Sequence, residues 1–239
     1  MSNRDKARDT KKSFYKEVVI KDCYMLKRWS FDFFDYIFDI GANVGIFSSY
    51  AAMTHTNAKI FAYEPCKETF KNLVEDLWFL PNIECTNEAM GDGSDLFFYD
   101  TGWSGCNLFY KEGEKEKQLD AYTVKSKTLS DIFYDKSISL DDKYFIKIDC
   151  EGGERFLLED KKSIEVIKNS SGSGIEIHFP PVSAGRVMAK RRFKDFPSWE
   201  FYNEWMNDNF EKTHKIVYHC SNKKNGSGVY TLFNKERIS

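Results

Sequence analysis

The chain has 239 residues, 41% of them hydrophobic and 16% aromatic, enough for one α/β domain with a sizeable core. Its 35 lysines and arginines against 37 acids leave a net charge of −2, which gives no electrostatic footprint for long nucleic acid. No apolar run is long enough for a membrane span, Met1–Lys12 lacks an apolar signal core, and the six cysteines form no C-x-x-C pair. A cytoplasmic protein with reduced thiols is therefore expected, with no zinc ribbon and no disulfide framework.

Residues 1–35 read as an N-terminal extension. Val18-Val19-Ile20 is a possible strand, and the stretch as a whole is expected to cover the sheet edge. The organising segment follows at Tyr36–Gly45, read as strand, tight turn and helix start. Gly41 permits a positive φ and close approach of a ligand to the backbone. The free amides of the helix start would face that ligand. Val44, Phe47, Ser48 and Ala51 then share one helical face. Ala58–Tyr63 is a second buried strand ending in Glu64-Pro65, with Glu64 19 residues after Gly45. An acid at that distance past a glycine turn suits ribose hydroxyls, so the pair suggests a nucleoside site.

Cys66–Phe79 is expected to be a helix, with Phe70, Leu73, Val74 and Leu77 on one face and Pro81 ending it. Asn82–Thr86 gives a third strand that closes on Asn87-Glu88-Ala89. Leu96–Tyr99 and Leu108–Tyr110 look like short strands around Gly102-Trp103-Ser104-Gly105, and Lys111–Lys117 like a solvated turn. Leu129–Tyr134 fits a short helix and Tyr144–Ile148 a strand carrying Lys147. Glu154–Glu159 opens a helix that Ile164–Lys168 continues. Ile175–His178 is a fifth strand. Residues 179–198 form a loop with Arg186 and a basic run, a candidate substrate lid. Trp199, Tyr202, Met206 and Phe210 mark a helix, and Lys215–Cys220 with Gly228–Asn234 a closing hairpin. Alternating strands and helices imply a mostly parallel sheet, with a ligand cleft beyond the strands' carboxyl ends.

The Asp39-Ile-Gly-Ala-Asn-Val-Gly45 turn and the Tyr63-Glu-Pro65 strand end resemble class I S-adenosylmethionine-dependent methyltransferases. Glu88–Asp92, Thr128–Asp131 and Phe145-Ile-Lys-Ile-Asp-Cys-Glu-Gly-Gly-Glu154 narrow the resemblance to the FkbM family, over roughly residues 36–180. Members of that family mostly methylate hydroxyls of sugars and polyketides. The resemblance implies an α/β, Rossmann-like class I sandwich as a single domain over 1–239. Its seven-stranded sheet would be mostly parallel with an antiparallel C-terminal strand, and a small β-hairpin would be inserted.

On that reading S-adenosyl-L-methionine is the cofactor and a sugar or glycan the partner. Asp39, Gly41, Ala42, Asn43 and Gly45 would surround the methionine part. Glu64 and Pro65 would border the ribose, and Glu88 and Ala89 the adenine. Asp149 would sit beside both the methyl and the acceptor hydroxyl. Lys147, on the same side of its strand, is the natural partner of Asp149, and Glu151 completes the catalytic group. His178 is placed to accept a proton, with Glu176 two residues earlier to orient it. Glu154, Glu176, Trp103 and Arg186 are substrate candidates. A variant binds Mg²⁺ or Mn²⁺ through Asp149, Glu151, Glu176 and His178. The alternatives are an RNA ribose 2′-O-methyltransferase, a nicotinamide oxidoreductase and a nucleoside-binding module without catalysis. The oxidoreductase wants G-x-G-x-x-G, where this chain has Asn43.

Overall fold

The computed structural model describes residues 11–99, 108–110, 121–180, 196–222 and 226–238. A helix over residues 11–15 winds on into a π-helical turn, Lys16–Ile20. Then β1 (Tyr36–Ile40), α1 (Ile46–Thr54), β2 (Lys59–Tyr63), α2 (Lys67–Leu77) and β3 (Ile83–Thr86) follow in alternation. Five short strands come next: β4 (Ala89–Met90), β5 (Leu96–Tyr99), β6 (Leu108–Tyr110), β7 (Ala121–Val124) and β8 (Ser126–Lys127). The chain continues through α3 (Leu129–Tyr134), β9 (Tyr144–Ile148), a 3₁₀ segment at Gly153–Leu158 and α4 (Lys161–Asn169). It closes with β10 (Gly172–His178), α5 (Trp199–Phe210), β11 (His214–Asn222) and β12 (Ser227–Asn234).

The main sheet has seven strands in the order β11-β12-β10-β9-β1-β2-β3. β12 runs antiparallel to both its neighbours, and the remaining pairings are parallel. Strand order reverses between β1 and β9, so the crevice that such sheets use for ligands opens above those two strands. The inserted element is a three-stranded sheet, β6-β5-β7, one strand more than a hairpin.

β1 and β9 are buried on both faces, which is why they read as nearly continuous apolar runs. Their alternation still sorts side chains between two cores. Phe38, Ile40, Tyr144, Ile146 and Ile148 meet Phe133, Tyr202, Met206 and Phe210 on one face. Ile37 and Phe145 meet Phe34, Phe47, Tyr24 and Leu26 on the other. Side-chain caps start the later helices: Thr128 accepts from Asp131 N, Asp160 from Lys162 N and Ser198 from Phe201 N.

Four expectations need correction. Val18-Val19-Ile20 is helical, and the segment before β1 packs on the α1 face of the sheet rather than on an edge. Its Trp29 stacks on Phe233 at 5.7 Å. The outer strands are β3 and β11. Val74 is 41% exposed, because α2 buries Thr69, Leu73 and Leu77 instead. The helix expected across 154–168 is two elements, with Asp160 capping the second. Among the described residues no helix is long and apolar enough to cross a membrane.

Candidate active site

The turn after β1 holds Gly41 at φ +79° and Gly45 at φ +80°. A Cβ on Gly41 would lie 1.9 Å from the carbonyl oxygen of Asp149. Glycine is required here because the loop after β9 presses on this turn, not because a ligand does. A Cβ on Gly45 would meet Leu73 and Leu77 of α2 at 2.7 Å. Four amides of the turn itself are taken up within the protein. Gly41 N and Ala42 N both donate to Tyr63 O, and Gly45 N donates to Ala42 O. Asn43 N donates to Glu64 Oε2 at 2.9 Å. These four donors knit the turn to β2 and to itself. The turn presents Ala42, Asn43 and Val44 to the cleft, and the Asn43 Oδ1 is buried with no hydrogen-bond partner among the described residues.

Glu64 ends β2 and lines the same cleft. Cys66 N donates to its Oε1 at 2.9 Å, opposite the Asn43 amide. Burial pushes its carboxyl up to about 7 despite those two donors. Pro65, Glu88 and Met90 line the cleft beside it. Glu88 is held 3.1 Å from Lys127 Nζ. Ala89 is buried and, like Gly45, does not line the cleft.

Beneath the floor lies a buried ion pair. Asp39 and Lys147 are register partners on β1 and β9, which brings Nζ to 3.0 Å from Asp39 Oδ1, angled off an ideal hydrogen bond. Ser48 Oγ donates to Asp39 Oδ2 at 2.6 Å, and Lys147 Nζ donates to Gly41 O at 2.7 Å. Asp149 Oδ2 is farther, at 3.9 Å. The first partner of Lys147 is thus Asp39. Burial works to lower the ammonium, but Asp39 and Asp149 outweigh it and keep it charged. Asp39 is wholly buried and supports the floor rather than forming the wall.

The far end of the cleft carries Asp149, Cys150 and Glu151. Tyr24 OH donates to Asp149 Oδ2 at 3.1 Å. Behind them Glu154 is buried and organises the 3₁₀ entry. Its Oε2 accepts from Gly152 N at 2.9 Å, and its Oε1 accepts from His178 N at 2.7 Å and meets His178 Nδ1 at 2.8 Å. Glu154 therefore orients His178, the role expected of Glu176, and has no face for substrate. Glu151 Oε2 lies 3.4 Å and Glu176 Oε1 4.0 Å from His178 Nε2. Burial lowers the imidazole, but Glu154 and Glu151 more than reverse this and hold it up at about 10. Burial, then Asp149, push Glu176 up to about 8. His55 and His214 are buried elsewhere, and burial holds both down near about 4.

Asn43, Glu64, Glu88, Lys147, Asp149 and Glu151 line one cleft of about 860 Å³, counting its open mouth, while Glu154, Glu176 and His178 do not line it. Sequence reasoning missed part of its wall: Phe14, Val18 and Tyr24 of the N-terminal segment, and Thr69 of α2. Phe14 and Val18 stand at i and i+4, so helical spacing was the one signal available. Trp103, Arg186 and most of the 179–198 lid lie outside the described residues. At its margin Phe179 packs on Trp199 at 5.5 Å.

The model of the methyltransferase FkbM domain matches residues 39–210. The chain belongs to the FkbM methyltransferase family. Methyltransferase FkbM from Methylobacillus flagellatus shares the fold at a TM-score of 0.53 and 12% identity, over 92% of this chain and 48% of that one. This FkbM chain thus spans about half the length of that relative. A putative rRNA methylase from Clostridium thermocellum gives a TM-score of 0.52 at 8% identity, covering 90% of this chain and 93% of the other. The fibrillarin pre-rRNA processing protein of Methanococcus jannaschii gives 0.50 at 11%, covering 92% and 76%. At such identities the likeness is one of fold. No curated protein matches the chain.

Proposed function

We propose that this FkbM-family chain is an S-adenosylmethionine-dependent O-methyltransferase acting on a hydroxyl of a sugar or glycan. The observation that carries the reading is a single cleft lined by Asn43 and Glu64 together with Asp149 and Glu151. The residues present suit that cofactor. Asn43 Oδ1 is a buried acceptor lacking a partner, matched to the ammonium of the methionine part. Glu64 is the acid for the ribose hydroxyls. Acids along the wall complement a cation, and the bound sulfonium supplies an activated methyl group.

The chain's own contribution is positioning and proton removal. The close packing of Gly41 on Asp149 O holds the loops after β1 and β9 together, and positioning of reactants supplies about 7–11 kcal/mol in favourable cases. Tyr24 holds one oxygen of Asp149, which leaves that carboxylate's remaining acceptor positions for the incoming hydroxyl. A base placed this way adds about 10²–10⁴-fold. Among the described residues Lys147 is the one basic side chain lining the cleft, and it is committed to Asp39 and Gly41. A neutral polyol suits that wall better than the phosphates of RNA.

Calorimetric titration with S-adenosylhomocysteine, with and without candidate glycans, tests the reading. Micromolar binding is expected, weakened by about 1–3 kcal/mol in Glu64→Ala. Unchanged affinity in that variant would count against the assignment.

A further inference from the structure

The acceptor end of the cleft gathers more than a proton acceptor needs. One ligand atom each from Asp149, Glu151 and His178 lies within 4.8 Å of the others. His178 Nε2 is 3.4 Å from Glu151 Oε2 and 4.0 Å from Glu176 Oε1. Donor atoms bonded at about 2.0–2.3 Å to one ion lie roughly 3–4.5 Å apart, so these spacings match a shared cation after small side-chain shifts. The imidazole is also directed from behind. Buried Glu154 meets Nδ1 at 2.8 Å and turns Nε2 toward the carboxylates. A carboxylate holding the outer nitrogen is the usual support of a metal-bound histidine. His178 itself is 5% exposed, so its ring has little freedom to turn away.

We propose that Asp149 and Glu151 on the cleft wall, with His178 and Glu176 behind them, form a divalent-cation site, the His178 ring giving up its Nε2 proton to solvent as the cation binds. A set of oxygens with one imidazole nitrogen suits Mn²⁺ better than Mg²⁺, which prefers oxygen and water alone. Binding of the cation does not depend on the methyl-transfer reading, but its role does. Facing the acceptor, it selects a molecule with two adjacent hydroxyls, which can chelate it.

The test uses the full chain, stripped with EDTA and desalted, then titrated with MnCl₂ by calorimetry and by electron paramagnetic resonance. Stoichiometric, saturable binding is expected, with nitrogen coupling in the resonance signal. Glu151→Gln should weaken it by at least about tenfold, and His178→Gln should remove the nitrogen coupling. Glu151 is on the cleft wall, so thermal melts should show that Glu151→Gln stays folded. Absence of saturable Mn²⁺ binding, or equal affinity in Glu151→Gln and wild type, overturns the site. S-adenosylhomocysteine titrated into the same stripped protein reads the nucleoside end separately. Its binding without Mn²⁺ binding refutes the cation site alone, and the reverse result refutes the methyltransferase reading alone.

Discussion

Replacing Gly41 by alanine measures how firmly the loops after β1 and β9 are joined. An L-residue at φ +79° costs about 1–2 kcal/mol by itself. The new methyl would stand 1.9 Å from Asp149 O, a backbone atom that no rotamer change can move. Carbon contacts need about 3.5 Å, so the β9 loop must withdraw by roughly 1.5 Å. That withdrawal breaks the bond from Asp149 N to Ile40 O, now 3.0 Å, worth about 1 kcal/mol. Disturbed packing adds about 1–3 kcal/mol. The expected loss is about 3–6 kcal/mol, a fall in melting temperature of about 10 °C or more for a chain of this size. Gly93→Ala is the control, since Gly93 has φ +87° and nothing within 4 Å of its would-be Cβ. It should cost only the conformational term, about 1–2 kcal/mol. Gly45→Ala should fall between them, because the obstructing atoms are leucine methyls at 2.7 Å that can turn aside. Urea and thermal unfolding of the three variants give the order. Equal destabilisation of Gly41→Ala and Gly93→Ala would refute the loop contact.

Lys147→Met should cost about 3–5 kcal/mol in urea, because it leaves Asp39 buried and unpaired. Adding Asp39→Asn should recover most of that loss, and a double variant no more stable than the single one would contradict the pairing. Glu64 must be ionised to accept hydroxyls, and its carboxyl stands at about 7. Affinity for S-adenosylhomocysteine should therefore be full above that pH and decline as pH falls through it, toward about tenfold per unit. A flat calorimetric profile would remove Glu64 from the ribose. Tyr24→Phe keeps the ring against Phe47 and Gly174 but deletes the donor to Asp149. Turnover should drop about tenfold, the size of a bond to a charged group, with donor KM unchanged. Wild-type turnover would exclude Tyr24 from the site.

Much of the frame was readable from periodicity. Tyr144–Ile148 was bounded correctly as a strand, and Trp199, Tyr202, Met206 and Phe210 marked α5 because every third or fourth residue is large and apolar. Asp149 and Glu151 could be placed at a cleft because they follow a buried strand. Partnerships across the sheet were not readable. Asp39 meets Lys147 only because β1 and β9, far apart in the chain, lie side by side in register. Glu154 reaches His178 only because β10 lies beside β9. The β-branched run Val18-Val19-Ile20 favours a strand locally, and packing against α1 overrides that preference. Tyr24 carried no signal at all, since its value comes entirely from a tertiary contact.

The family match begins at residue 39, yet Phe14, Val18 and Tyr24 come from upstream of it and still form part of the cleft wall. Part of the cleft wall is thus supplied by polypeptide outside the family match. Exchanging residues 11–29 for another sequence of the same shape would reline that part of the wall while keeping the β1 and β9 loops in place. That gives protein engineers a handle on the cleft lining that the strand tips, wedged together at Gly41 and Asp149, do not offer.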